Sequence, residues 1–266
     1  MASAPHTPSI PHGRVLIIAG SDSGGGAGIQ GDIKTVSALG GYAMSAITAL
    51  TAQNTRGVFS IHPVPEDFIA QQIALCLEDI GADAIKTGML HSAGVIATVV
   101  GSLPTDPIPL IVDPVMVAKG GAALLEAAAL EALKTQLIPR ATIITPNLPE
   151  AELLLGRPIP ENGLRAAAEA LLALGSHAVL LKGGHGSGPV LSDILVTRDG
   201  AALTLTATRR DTRHTHGTGC AFASAIATGL AQGLPLADAV SRAHGYVQAA
   251  LARAPGFGGG NGPLGH

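Results

Sequence analysis

The sequence has no tryptophan, two tyrosines and four phenylalanines among 266 residues, although 47% of its residues are apolar. A core of that composition is made of Ala, Leu, Ile and Val, and the length suffices for one large α/β domain. Basic residues are few and unclustered: 16 Lys and Arg against 19 Asp and Glu leave a net charge of −3, which excludes the basic footprint of a nucleic-acid-binding protein. Only Cys76 and Cys220 carry thiols, too few and too far apart for a disulfide framework and in keeping with a reducing compartment. No apolar run approaches the roughly 20 residues that a membrane helix needs. Residues 1–12 lack the apolar segment of an export signal and read as a disordered lead-in, so a soluble, cytoplasmic protein is expected. No Gly-Lys-Ser or Gly-Lys-Thr occurs, which excludes a Walker-type phosphate loop.

Along the rest of the chain, short apolar runs alternate with helical periodicity. Arg14-Val-Leu-Ile-Ile-Ala-Gly20 and the segments 82–88, 109–113, 141–145 and 177–182 have the continuous apolar character of parallel strands buried on both faces. Helices are expected over 29–39, 66–80, 91–101, 126–137, 147–155, 163–174, 219–232 and 236–253, with 43–52 a further apolar segment and 57–62 a short β-type piece. Segments 193–197 and 201–206 flank Arg198-Asp199-Gly200 and read as a hairpin. The alternation predicts an α/β fold, one domain over 13–266 with a mostly parallel central sheet and helices on both faces. Ligands in such folds collect at the carboxyl ends of the strands. Gly20, Gln53, Gly88, Asp113, Thr145, Asn147, Lys182 and Gly184 all fall at those ends.

The stretch around which the rest is organised is Thr212-Arg-His-Thr-His-Gly-Thr-Gly-Cys220, a loop leading into a small-residue helix. Free N–H groups and the positive end of the helix dipole make Gly217, Thr218, Gly219 and Cys220 an anion site. The dipole is also expected to lower the Cys220 thiol and favour the thiolate; the plainer alternative is a cysteine packed as a small hydrophobe. Asp113 ends a very apolar strand, where an unpaired carboxylate is costly, and suits a place near a cation or a phosphate-linked metal, or else a cap. Asn147 and Glu150, three apart at a helix start, suit either a shared ligand or a capping box. Lys182 and Gly184 follow a buried strand and suit a nucleotide or a plain turn. Gly26-Ala-Gly28-Ile-Gln-Gly31 is formally a dinucleotide-binding loop, but the acidic residue wanted about 20 positions later is missing, with Gln53 and Asn54 in that region. Asp32 reads locally as a carboxylate complementing the helix dipole. His214 and His216 resemble a metal pair without the further ligands of a zinc site. An anion hole, a candidate Mg²⁺ pair and a lysine on one rim are parts for phosphoryl transfer.

Seven motifs in order carry a closer likeness: Ala19-Gly-Ser-Asp-Ser-Gly-Gly-Gly-Ala-Gly-Ile-Gln-Gly-Asp32, Thr48-Ala-Leu-Thr-Ala-Gln-Asn-Thr55, Lys86-Thr-Gly-Met-Leu90, Asp113-Pro-Val-Met116, Thr145-Pro-Asn-Leu-Pro-Glu150, Lys182-Gly-Gly-His185 and Thr215-His-Gly-Thr-Gly-Cys220. The chain resembles the bacterial hydroxymethylpyrimidine/phosphomethylpyrimidine kinases of thiamine biosynthesis, members of the ribokinase-like superfamily. The resemblance implies two successive phosphorylations of 4-amino-5-hydroxymethyl-2-methylpyrimidine, to the monophosphate and then the pyrophosphate, with ATP and Mg²⁺, by a homodimer. It implies a pyrimidine pocket of Gly20, Ala27, Asp32, Gln53, Met89, Val115 and Cys220, with Asp32 and Gln53 hydrogen-bonded to the aminopyrimidine edge. It makes 217–220 the anion hole, with Asn147, Lys182, Gly184 and Thr215 at the nucleotide. Glu150 organises Mg²⁺ through water together with Asn147, and Asp113 lies in the metal or phosphate region. Cys220 stands where most of the superfamily has an aspartate base, and so becomes the candidate acceptor of the alcohol proton. Two departures are His214 in place of the usual Asn, which could alter a nucleotide contact, and Gly31 in place of Ala, which loosens a helix start. The nearest alternative is a pyridoxal-type kinase of the same superfamily; a noncatalytic pyrimidine-binding protein is the alternative of a different class.

Overall fold

The computed structural model describes residues 12–117, 121, 124–184 and 188–266. Strand β1 (Arg14–Ala19) is buried along almost its whole length, as its unbroken apolar run requires of a strand covered on both faces. It lies between β2 (Tyr42–Ile47) and β5 (Ala84–Thr87), and the sheet continues in parallel through β6 (Leu110–Val112), β7 (Ile143–Ile144) and β8 (Ala178–Leu181). Antiparallel β9 (Val190–Thr197) and β10 (Ala202–Thr208) form the far edge, joined by the expected Asp199-Gly200 turn. The mostly parallel sheet matches the fold class read from the sequence.

Alternate residues of β1 feed two separate cores. Leu16 and Ile18 pack with α2 (Glu66–Asp79), α3 (Ala93–Ser102), α4 (Ala129–Ala132), α5 (Leu148–Leu155) and α6 (Leu164–Leu172). Val15 and Ile17 pack with α1 (Gly28–Ala38), α7 (Thr218–Ala231) and α8 (Leu236–Ala252). The second core is rich in alanine, the composition expected where aromatics are scarce and helices press closely on a sheet.

Two expected elements differ. The apolar segment 43–52 is not continuous: Thr48 is fully buried, donates its N–H to Ala19 O and its hydroxyl to Met89 O, and there the chain leaves the main sheet. Beyond it, β3 (Ala49–Asn54) pairs with β4 (Gly57–Pro63) in a separate hairpin. The helix expected over 126–137 has one regular turn, α4, and then widens into a π-helical stretch, Leu133–Leu137, and a 3₁₀ turn, Ile138–Arg140, that contains Pro139. The lead-in up to residue 11, Lys119 and most of 117–122, and His185 lie outside the described residues.

Candidate active site

A cavity of about 740 Å³ opens along the carboxyl ends of the parallel strands, a volume in the range of small-molecule and cofactor sites. Gly20 follows β1, Met89 follows β5, Asp113 and Val115 follow β6, Asn147 and Glu150 follow β7, and Lys182 and Gly184 follow β8; all line it, together with Ala27, Gln53, Thr215, Gly217, Thr218, Gly219 and Cys220. Of the candidate residues read from the sequence, Asp32, Thr145 and His214 do not.

Asp32 is fully buried inside α1, where it accepts hydrogen bonds from Lys86 Nζ at 2.8 Å and Ser224 Oγ at 2.7 Å. It is therefore bound to a lysine and a serine away from the cavity wall, and it is not in the first turn of α1, where a dipole complement would sit. Its carboxylate is taken up by the lysine and the serine rather than presented to the cavity, unlike the substrate contact the resemblance implies. Burial acts to lower the Lys86 value, but the charges of Asp32 and Asp113 and the hydrogen bond to Asp32 outweigh it and hold the ammonium charged, above the ordinary lysine range. Burial also pushes the Asp32 carboxyl up; with the partners 2.8 Å apart and no solvent between them, the ion pair is the form that satisfies both. Lys86 itself lines the cavity.

A second buried pair lies beside the first. Lys182 Nζ is 3.1 Å from Asp113 Oδ1, and Thr145 Oγ1 donates to the same oxygen at 3.0 Å. Asp113 is thus an ion-pair partner of Lys182 rather than a helix cap. For Lys182, burial is again outweighed, here by Asp113 and Glu150, and the ammonium stays charged. A Cβ placed on Gly219 would stand 3.1 Å from Lys182 Nζ, so this charge lies against the anion loop.

Asn147 and Glu150 form a capping box at the start of α5: Asn147 Oδ1 accepts from Glu150 N at 2.9 Å and Glu150 Oε2 accepts from Asn147 N at 2.8 Å. The capping box is the reading observed, and both residues also line the cavity. Burial pushes the Glu150 carboxyl up to about 7, Lys182 opposing and Asp113 adding to the shift. Among the described residues no cluster of three or more His, Cys, Asp or Glu could hold a metal alone. The donor set does fit a cation that brings other ligands with it: Asp32, Asp113 and Glu150 face two ammonium groups, Lys86 and Lys182, and Glu150 is the carboxyl left without a lysine in contact.

Gly217, at φ +83°, caps the start of α7, and a Cβ there would fall 1.9 Å from Gly26 O. Only glycine lets the anion loop and the first glycine loop touch. The first-turn N–H groups of α7 have no acceptor within the helix and are available to an anion. At Cys220 the expected effect of the helix terminus is reversed: burial pushes the thiol up to about 12, with Asp32 and Asp113 adding to the shift and Lys86 and an N–H from Gly28 opposing it. Loss of hydration outweighs the dipole, so the resting group is a thiol.

The sequence singled out His216 only as half of a metal pair, yet it ties the site together. Its Nε2 is 2.9 Å from Asp22 Oδ2 and 3.2 Å from the Gln53 side-chain amide, and Asp22 also accepts the N–H groups of Gly24, Gly26 and Ala27. Burial raises the Asp22 carboxyl, but the His216 bond and these N–H bonds bring it below the ordinary value. His214 does not line the cavity; its Nδ1 is buried, close to Gly262. The far end of the cavity, bounded by Leu191, Asp193, Ala207, Thr208, His244 and Gln248, was not read from the sequence. These residues are scattered over β9, β10 and α8 with no local pattern, though the Asp-Gly hairpin that carries part of this wall was legible.

A model of the phosphomethylpyrimidine kinase family matches residues 22–265. The chain is 48% identical to the hydroxymethylpyrimidine/phosphomethylpyrimidine kinase of Streptomyces coelicolor, covering 98% of this chain and 96% of that one. It is 52% identical, over 96% of its length, to the thiamine biosynthesis bifunctional protein of Geobacter sulfurreducens, of which it spans about half (52%). Among solved structures it is similar to an ADP complex of Bacillus subtilis pyridoxal kinase, with TM-score 0.88, 35% identity and coverage of 96% of this chain and 97% of that one.

Proposed function

The chain belongs to the phosphomethylpyrimidine kinase family, and from that premise we propose that it phosphorylates 4-amino-5-hydroxymethyl-2-methylpyrimidine on its hydroxymethyl oxygen, and then the monophosphate to the pyrophosphate, with MgATP in thiamine biosynthesis. The observation that carries this reading is the convergence of Gly20, Ala27, Gln53, Met89 and Val115 with the 217–220 loop in one cavity, large enough for a small heterocycle and a nucleotide together. The nucleotide is assigned to the wall formed by Lys182, Gly184, Thr215 and the β9–β10 hairpin.

In this reading the N–H groups at the start of α7 receive the oxygens of the transferring phosphoryl group, and the charged Lys86 and Lys182 supply fixed positive potential beside them in a low-dielectric site. Glu150 would hold Mg²⁺, with the Asn147 N–H fixing its carboxyl, and the ion would supply positive charge to neutralise the phosphates. Asp113 keeps Lys182 in place. Cys220, a thiol at rest, accepts the alcohol proton only as the thiolate, after its own S–H proton has passed to solvent in the cavity; the alcohol oxygen then bonds the transferring phosphorus and ADP leaves. The second step needs no such acceptor, because a phosphate oxygen attacks.

A pyridoxal kinase is the second reading, favoured by the fold match to the Bacillus subtilis enzyme, and both substrates carry a hydroxymethyl on a flat ring. The higher identity to the pyrimidine kinases supports the first. The two are separated by comparing turnover of the two alcohols with MgATP. We also propose a cytoplasmic homodimer: Cys76 and Cys220 are free thiols, and Leu50 and Phe59 on the β3–β4 hairpin and Phe68 and Leu75 on α2 are exposed apolar side chains.

A further inference from the structure

The segment after α8 looks in sequence like a featureless glycine-rich end. In the fold it crosses the molecule. Asn261 N donates to Thr55 O at 2.7 Å and Gly260 N to Thr55 Oγ1 at 3.2 Å, at the tip of the β3–β4 hairpin. Two residues on, Gly262 O accepts from His216 N at 3.1 Å, and Pro263 pairs with His216 as an isolated bridge. Leu264 is buried in the alanine-rich core, Gly265 N donates to Ala250 O at 3.0 Å, and the His266 ring meets Tyr246 Oη at 2.9 Å. The segment is thus held at both ends and touches the hairpin and the anion loop between them.

The crossing closes a ring. Gln53 reaches His216 through one side-chain contact of 3.2 Å, and the same two residues are joined a second time through Thr55, residues 260–262 and the His216 main chain. The second route needs glycine: a Cβ at Gly260 would fall 2.1 Å from Thr55 O, and one at Gly262 2.1 Å from His214 Nδ1. His214 therefore serves as packing for this segment.

We propose that residues 258–264 are a brace that sets the distance between the β3–β4 hairpin and the anion loop, and so positions Gln53 against the pyrimidine. The brace acts through Thr55 and His216 and touches no substrate; its kinetic consequence rests on the kinase reading above. A structural contact that merely stabilised the fold would affect both substrates alike, whereas a brace on the hairpin affects the pyrimidine half of the cavity.

The test compares the full chain with Thr55→Val, Thr55→Ser and Gly262→Ala, measuring amide exchange without ligand and KM for hydroxymethylpyrimidine and for MgATP. In Thr55→Val and Gly262→Ala, amides of residues 51–54 and 215–218 should exchange about tenfold faster while those of β1 and β6 stay unchanged. KM for the pyrimidine should rise about fivefold or more and that for MgATP less than about twofold, with Thr55→Ser close to wild type because it keeps the hydroxyl. Unchanged exchange in both variants, equal effects of Val and Ser at position 55, or a parallel rise of both KM values overturns the brace. If Gly262→Ala does not fold, Thr55→Val decides. If the variants show the exchange pattern while the wild-type protein shows no pyrimidine turnover, the brace stands and the kinase reading is removed.

Discussion

Asp32 Oδ2 and Lys86 Nζ meet at 2.8 Å with both side chains fully shielded from solvent, 54 residues apart in sequence. The pair puts a fixed charge at the cavity wall, since Lys86 lines it and Asp32 does not. Breaking such a pair leaves a buried charge without its partner.

Lys86→Met and Asp32→Asn should each lower stability by about 3–5 kcal/mol in urea unfolding, and the double change Asp32→Leu/Lys86→Met by less than the sum of the two. Asp32→Asn with unchanged stability and a raised KM for the pyrimidine would instead place Asp32 on the substrate.

Cys220 should react as a half-buried thiol whose value is raised by loss of hydration. With its value up at about 12, roughly one molecule in 10⁵ carries the thiolate at pH 7. In a Cys76→Ser background, the rate of iodoacetamide alkylation should climb about tenfold per pH unit from 7 to 10 without levelling. A plateau near pH 8 would mean that the helix terminus controls the thiol after all.

Cys220→Ser separates the two phosphorylations. If the Cys220 thiolate accepts the alcohol proton, kcat for the first step should fall about 10²-fold and kcat for the second less than about tenfold. Equal losses in rapid-quench measurements of both steps would assign Cys220 to the shape of the anion loop.

Glu150 gives a pH signature in the metal-free protein. Burial raises this carboxyl from the ordinary 4.5 to about 7, so between those values the folded state binds the extra proton and stability falls as pH rises. Glu150→Gln keeps an oxygen for the Asn147 N–H and has nothing to ionise. It should match wild type below about pH 4.5 and exceed it by about 1–3 kcal/mol above pH 7; parallel stability curves would contradict the assignment.

Gly217→Ala brings a Cβ to 1.9 Å from Gly26 O at a φ of +83°. The backbone conformation alone costs about 1–2 kcal/mol, and relief of the clash must part the two loops. Turnover should fall at least about tenfold with a lower midpoint in thermal unfolding. An unaffected kcat would show that contact between the loops is dispensable.

These residues also mark how far the sequence could be read. The parallel strands were legible because a strand covered on both faces is a short apolar run, and β1 shows it in five consecutive residues buried on folding. The motif residues at the strand ends were brought to one rim because topology alone places them there. Thr48 was not legible as a break, since its burial depends on a hydrogen bond to Met89 O 41 residues away. The partners of Asp32 and the Asp22–His216 contact were hidden for the same reason, the latter spanning 194 positions. The sign of the Cys220 shift was misread because a helix terminus is a local signal whereas desolvation belongs to the assembled cavity. The glycine-rich end carried no periodicity, and its role emerges only from what a Cβ would strike.

The most direct test of the central claim is product analysis of purified protein with MgATP and hydroxymethylpyrimidine or pyridoxal, resolving mono- from pyrophosphate. The account predicts that hydroxymethylpyrimidine is converted first to the monophosphate and then to the pyrophosphate, with kcat/KM above that for pyridoxal. Faster turnover of pyridoxal, or no ADP released with either alcohol, would contradict it.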